Sequence, residues 1–286
     1  MTGAAASQDT DEQALLDCLP ADGATKGNQA VRRQLGWDED RYFAVRNRLE
    51  DEGLVLRGQG RGGTVRRNLT PAVPTVVSTG TAPAGGGAVL SGDAEETIHN
   101  ELGLYEPMRR VIAGEWAKDH RADPVAVEIT AQQGRRATGG TWSRPDITSV
   151  EVRTFSYVPG KYLEVVTFEV KPYTAVNVQA VYEALAHRRA ATRAYVLLHV
   201  PVDVAPQLNE IITDIAAVAR GHGVGLITAE DPSNYETWED RVDAERHEPD
   251  PERLDEFISA QLSLDPPNHI PELLSPVWTV PWVMWA

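Results

Sequence analysis

Apolar positions in the block from about residue 11 to 70 recur at helical spacing before giving way to a short strand pattern. ALLDCL (14–19) predicts a first helix, and KGNQAVRRQLG (26–36) predicts a short second one ended by Gly36. In WDEDRYFAVRNRLEDEGLV, Tyr42, Val45 and Leu49 fall on one face of a third helix, with Asp38 as N-cap and Gly53 as its stop. LVLRGQGRGGTVRRN then reads as strand, Gly-rich turn, strand. Residues 71–92 are rich in Pro, Gly, Thr, Ser and Ala and carry no charge, which predicts a flexible linker and a domain boundary. From 93 onward the pattern changes. AEETIHNELGLYEPMRRVIAGEWAKDH predicts a long helix, interrupted near Gly103 or Pro107. PVAVEITA (124–131), TWSRPDITSVEVRTF (141–155) and KYLEVVTFEVKPY (161–173) predict three strands. A helix at 176–191, a strand at 193–200, a helix at 206–223 and a strand at 224–229 follow. The order αβββαβ, then αβ, joins early strands by hairpins and later ones by helical crossovers, so it predicts an α/β domain with a central mixed sheet.

No apolar run reaches the roughly 18 residues of a membrane span. The polar, acidic opening MTGAAASQDTDEQ lacks the basic and apolar regions of a signal peptide, so a soluble cytoplasmic protein is expected. The one cysteine, Cys18, excludes an intramolecular disulfide and a cysteine zinc cluster, and its helical apolar setting predicts burial.

The formal net charge of −15 argues against a nucleic-acid partner until its distribution is considered. Between 41 and 70, seven arginines (Arg41, Arg46, Arg48, Arg57, Arg61, Arg66 and Arg67) face three acids. From 230 to the end, fourteen acids face three arginines. A local basic stripe can hold a phosphate backbone whatever the total charge. Three helices followed by a basic hairpin resemble a winged helix-turn-helix, with Arg61 at the tip of the wing. That resemblance implies a domain over 1–70 whose seven arginines meet duplex DNA, or else a domain used for protein contacts.

The chemistry lies further on. Asp146 heads the second strand of the second domain, and Glu169 and Lys171 close the third. Two residues apart in a strand, Glu169 and Lys171 share a face, while Phe168 and Val170 point the other way into apolar packing. Charged side chains near the end of an apolar strand are costly without a partner or a task. A divalent cation supplies one: Mg²⁺ binds through one or two carboxylates. Asp146 and Glu169, with the Val170 carbonyl, are the expected ligands, and Lys171 would orient the nucleophile and stabilise the transition state.

Pro145-Asp146 with Glu169-Val170-Lys171, 23 positions apart from Asp to Glu, resembles the PD-(D/E)XK or restriction-endonuclease-like superfamily. The resemblance covers about 93–230. It implies an αβββαβ core over 93–286, with an acidic C-terminal extension, and a Mg²⁺-dependent endodeoxyribonuclease for which Mn²⁺ can substitute. Such an enzyme would act in restriction or defence against foreign DNA, as a homodimer where both strands are cut. It also implies an acid on the first helix, Glu101, three residues before Leu104-Tyr105 as the family tends to have it, in preference to Glu106, and a role for Gln179 on the helix after the third strand. The stricter family pattern of Gln and Tyr four apart is not met, since Tyr182 follows Gln179 by three. His187, Arg188 and Arg189 further along that helix either meet phosphates or form a solvated helix end. The loop GRRATGG (134–140) either touches DNA or is a hairpin tip, and the Trp-rich end PVWTVPWVMWA is expected to cap the core. A DNA-binding regulator with a non-cleaving nuclease-like domain is the alternative, and an RNA or structure-specific nuclease a third reading.

Overall fold

The computed structural model describes residues 3–57, 63–69, 94–131, 144–158, 160–263 and 270, with side chains placed from residue 10 and, after the linker, from 101. Arg61, the linker 71–92, the loop 134–140 and the Trp-rich end 276–286 lie outside the described residues.

The N-terminal body comprises α1 (Gly3–Cys18), β1 (Lys26–Gly27), α2 (Asn28–Leu35), α3 (Glu39–Asp51), β2 (Val55–Arg57) and β3 (Thr64–Arg67). Asp38 caps α3 as expected: its side chain accepts from the Arg41 N–H. Leu15, Val31, Tyr42, Val45, Leu49, Val55 and Val65 form its core, and Cys18 is buried among them. One prediction is corrected. Lys26 and Gly27 do not open α2 but pair with β3, giving a three-stranded antiparallel sheet of order β1-β3-β2. Helical spacing alone does not register such a two-residue pairing.

The second body begins with α4 (Ala94–Val111), which runs through Gly103 and Pro107 without the expected interruption. The irregularity lies just beyond, in a π turn (Ile112–Trp116) leading to α5 (Ala117–Asp119). There follow β4 (Pro124–Ile129), β5 (Ile147–Thr154), β6 (Lys161–Lys171), α6 (Gln179–His187), β7 (Arg193–His199), α7 (Ala205–Gly221) and β8 (Gly225–Ala229), in the order expected. Two further elements, β9 (Trp238–Val242) and α8 (Pro251–Gln261), stand where only an acidic extension was expected. The strand escaped notice because WEDRV buries only its ends, Trp238 and Val242, and carries charge between them.

The chain is thus α/β with a six-stranded mixed sheet of order β4-β5-β6-β7-β8-β9. β4, β5 and β6 are antiparallel, β6, β7 and β8 parallel, and β9 returns antiparallel at the edge. On one face, Leu104, Tyr105, Met108 and Trp116 pack on Ile147, Val166, Phe168 and Val170. On the other, Ala180, Val181, Ile212 and Ile215 from α6 and α7 pack on Val196, Leu198 and Leu226. No helix among the described residues is long and apolar enough to cross a membrane.

The two bodies are docked through charge. Arg46 of α3 forms an ion pair with Asp119 at the end of α5, and both are essentially inaccessible to solvent. The Tyr235 hydroxyl donates to the other Asp119 oxygen at 2.8 Å. Around this buried pair, Arg121 reaches Asp51 at 2.7 Å and Glu50 at 3.1 Å, and Lys118 reaches Asp40 at 2.8 Å and Glu39 at 2.9 Å. The Gln29 N–H donates to Glu236 at 2.6 Å. Gly63 sits so close to the Glu236 backbone that any Cβ would collide with it.

Candidate active site

β5 begins one residue after Asp146, whereas β6 runs on to Lys171. The ladder ends with Ile147 facing Phe168, and Asp146 stands just beyond it, near enough for its charge to act on Glu169. The Asp146 N–H donates to the Phe168 carbonyl at 3.1 Å and anchors the start of the strand. The Asp146 side chain is 6% exposed and uses both oxygens: Oδ2 accepts from the Val170 N–H at 2.8 Å, and Oδ1 accepts from the Tyr105 hydroxyl at 2.8 Å. By the two-residue period of a strand, the Val170 carbonyl faces the same edge as that of Phe168. Beyond Asp146 there is no β5 residue to pair with it.

Glu169 is 5% exposed. Its Oε1 is 2.6 Å from Lys171 Nζ, and its Oε2 is buried without a hydrogen-bond partner, 3.8 Å from His187 Nε2. Lys171 Nζ also lies 3.0 Å from Glu183 Oε2 and 3.7 Å from Glu101 Oε1. Tyr105 reaches Glu101 at 3.1 Å as well as Asp146, but a hydroxyl has one proton to donate. The site therefore gathers more negative oxygen than the protein's own donors satisfy.

The electrostatics agree. Burial pushes the Asp146 carboxyl up, against the pull of the Val170 N–H and the Tyr105 hydroxyl. Burial and then the charge of Asp146 push Glu169 up, although Lys171 opposes both. Burial alone would lower the Lys171 ammonium, but Glu169, Glu101 and Glu183 hold it above its usual range. Two buried carboxylates that resist sharing their charge form a site that a cation would relieve.

Among the described residues, no group of three or more His, Cys, Asp or Glu side chains is arranged to hold a metal ion by itself. Mg²⁺ does not need one, since it retains waters and is held by one or two carboxylates. The orphaned Glu169 oxygen, the neighbouring Asp146 carboxylate and the edge-facing Val170 carbonyl fit a hard cation of that kind.

Of the two α4 acids, Glu101 is brought to this cluster and Glu106 is not. Glu106 is held by Arg109 and Arg110 at 2.9 and 2.8 Å, which lower it to about 2. Gln179 does not touch the three central residues but donates to Glu183 Oε1 at 2.9 Å. Sequence reasoning missed Tyr105 and Glu183. Glu183 stands four residues after Gln179, where the family pattern has tyrosine, and Tyr105 four after Glu101. His187 is not a phosphate contact: it is buried with its ring toward Glu169.

The arginines proposed to face DNA are largely occupied elsewhere. Arg46 is buried against Asp119, which corrects its assignment to a reading surface. Arg41 pairs with Asp11 at 2.7 Å, Arg48 with Glu12 at 3.4 Å, and Arg57 with Glu50 at 3.2 Å. Arg67 donates to the Leu16 carbonyl at 2.9 Å and lies 3.6 Å from Asp17. Asp11, Glu12, Asp17 and Asp119 from outside the stripe, and Glu50 within it, neutralise most of these arginines. Among the described residues, Arg66 is the one of these arginines with no carboxylate at ion-pair distance.

Replacing Tyr105 by Phe tests the anchoring of Asp146. The variant should lose about 2 kcal/mol in urea unfolding, the usual worth of a hydrogen bond to a charged group. An unchanged midpoint would mean that the Tyr105–Asp146 contact does not form. No protein-family model, curated protein or solved structure matches the chain.

Proposed function

We propose that the chain is a Mg²⁺-dependent nuclease that hydrolyses phosphodiester bonds in DNA. The observation that carries this reading is the cross-strand pair Asp146 and Glu169, buried and short of positive charge, with Lys171 two residues along the same strand. The element order supports it: an initial helix, three antiparallel strands, a helix and a parallel strand are what a restriction-endonuclease-like core would have. The helices and the β1-β3-β2 sheet of the N-terminal body are likewise what a winged helix would have.

In this reading Asp146, Glu169 and the Val170 carbonyl hold the ion. When bound, Mg²⁺ lowers the pKa of water and offsets charge developing on the phosphate. Lys171, beside Glu169, orients the attacking oxygen while stabilising the phosphoryl oxygens. Tyr105 fixes the Asp146 rotamer, and Glu101 adds negative charge on the α4 side. The N-terminal body, with its third helix docked on the second body, serves more as a fixed platform than as a free reader. The paired arginines also weaken the alternative of a DNA-binding regulator.

Supercoiled plasmid incubated with the protein and Mg²⁺ should be nicked or linearised, and EDTA should stop the reaction. Single-stranded, branched and RNA substrates should be cut more slowly than duplex DNA. Failure to cut any of these with Mg²⁺ or Mn²⁺ would exclude the nuclease.

A further inference from the structure

α6 presents Gln179, Glu183 and His187 at four-residue intervals, one above another on a single helix face. The middle one is the least expected. Glu183 Oε2 lies 3.0 Å from Lys171 Nζ, and its Oε1 accepts from Gln179 Nε2 at 2.9 Å. Lys171 is thus shared between Glu169 at 2.6 Å and Glu183, with Glu101 farther off at 3.7 Å. These two carboxylates have different fates. Glu169 is claimed by the cation in the nuclease reading; Glu183 stands on α6, within hydrogen-bond reach of Glu169 as well as of Lys171. A lysine whose sole anchor were Glu169 would compete with the cation for it.

We infer that Glu183 is a positioning residue that retains the Lys171 ammonium at the edge of the site when Glu169 turns to the metal. Gln179 fixes Glu183 in turn, which gives it an indirect part in the site. The inference rests on the nuclease reading. It makes the pairing of Lys171 an exchange, in which the lysine gives up one carboxylate and keeps the other.

A double-mutant cycle on the full chain tests it. Mn²⁺ affinity is measured by calorimetry for the unsubstituted protein, Glu183→Gln, Lys171→Met and the double variant. Glu183→Gln should weaken Mn²⁺ about tenfold, a coupling ordinary for residues in contact. It should also lower kcat while leaving KM and the thermal midpoint nearly unchanged. With Lys171→Met already present, Glu183→Gln should change Mn²⁺ affinity less than about twofold, because the competing ammonium is gone. Glu183→Ala gives the same comparison should the glutamine variant fold poorly. Equal losses in both backgrounds, or no loss in either, would overturn the inference while leaving the nuclease intact. Absence of both Mn²⁺ binding and cleavage in the unsubstituted protein would overturn the nuclease reading and this inference with it.

Discussion

In the proposed nuclease, Asp146→Asn should leave a folded protein that cleaves DNA at least about a thousandfold more slowly, because it would remove a cation ligand and its charge together. The substitution preserves shape. One oxygen remains to accept from the Val170 N–H, now 2.8 Å from Asp146 Oδ2. The new amide nitrogen would face Tyr105, whose hydroxyl can turn its proton to Glu101, already 3.1 Å away, and accept from the amide. The loss of stability is therefore about 1–2 kcal/mol, that of a weakened buried network and not of a broken one. Mn²⁺ affinity should fall with the rate. Plasmid cleavage undiminished by Asp146→Asn, in protein purified free of host nucleases, would dismiss this site as the catalytic one.

A second large effect is expected far from the chemistry. Asp119→Ala should destabilise the chain by about 3–5 kcal/mol, the usual consequence of stranding one member of a buried ion pair. Arg46 is 1% exposed and cannot reach water without opening the junction between the bodies. Tyr235 would lose its acceptor at the same time. The contrast is with Arg46→Met combined with Asp119→Leu, which removes both charges and should recover much of the loss, since apolar replacements of buried pairs are often tolerated. Denaturant unfolding of the three proteins decides it. If the single and double variants are equally destabilised, packing at the junction matters and the ion pair does not.

Much of the candidate site could be read from the chain because strands impose simple geometry. Glu169 and Lys171 share a face through the two-residue period, and a hairpin between two predicted strands brings Asp146 back to Glu169. The spacing before Leu104-Tyr105 favours Glu101 over Glu106, and in the structure the two differ in which way they turn. Glu101 turns to the strand ends beside Tyr105, whereas Glu106 turns to Arg109 and Arg110. Glu183, by contrast, was invisible. A glutamate following a glutamine by one helical turn looks like any solvated helix face, and its significance comes only from the lysine packed against it. The arginines misled because charge was counted along the sequence. Asp119, which neutralises Arg46, lies 73 residues away. Among the fold elements, β1 and β9 were lost because a two-residue pairing and a charged edge strand leave little periodic trace.

The unequal lengths of β5 and β6 have a consequence for how this site could be silenced. β6 outruns its neighbour, so the backbone at Val170 meets the Asp146 side chain where a strand residue would otherwise sit. Adding two residues to the start of β5, in register, would satisfy Val170 by ordinary ladder bonds and close the notch. Asp146, Glu169 and Lys171 would all still be present. A homologue could thus keep every hallmark side chain and yet be inert. In the proposed nuclease, strand length at this edge would then matter as much as residue identity.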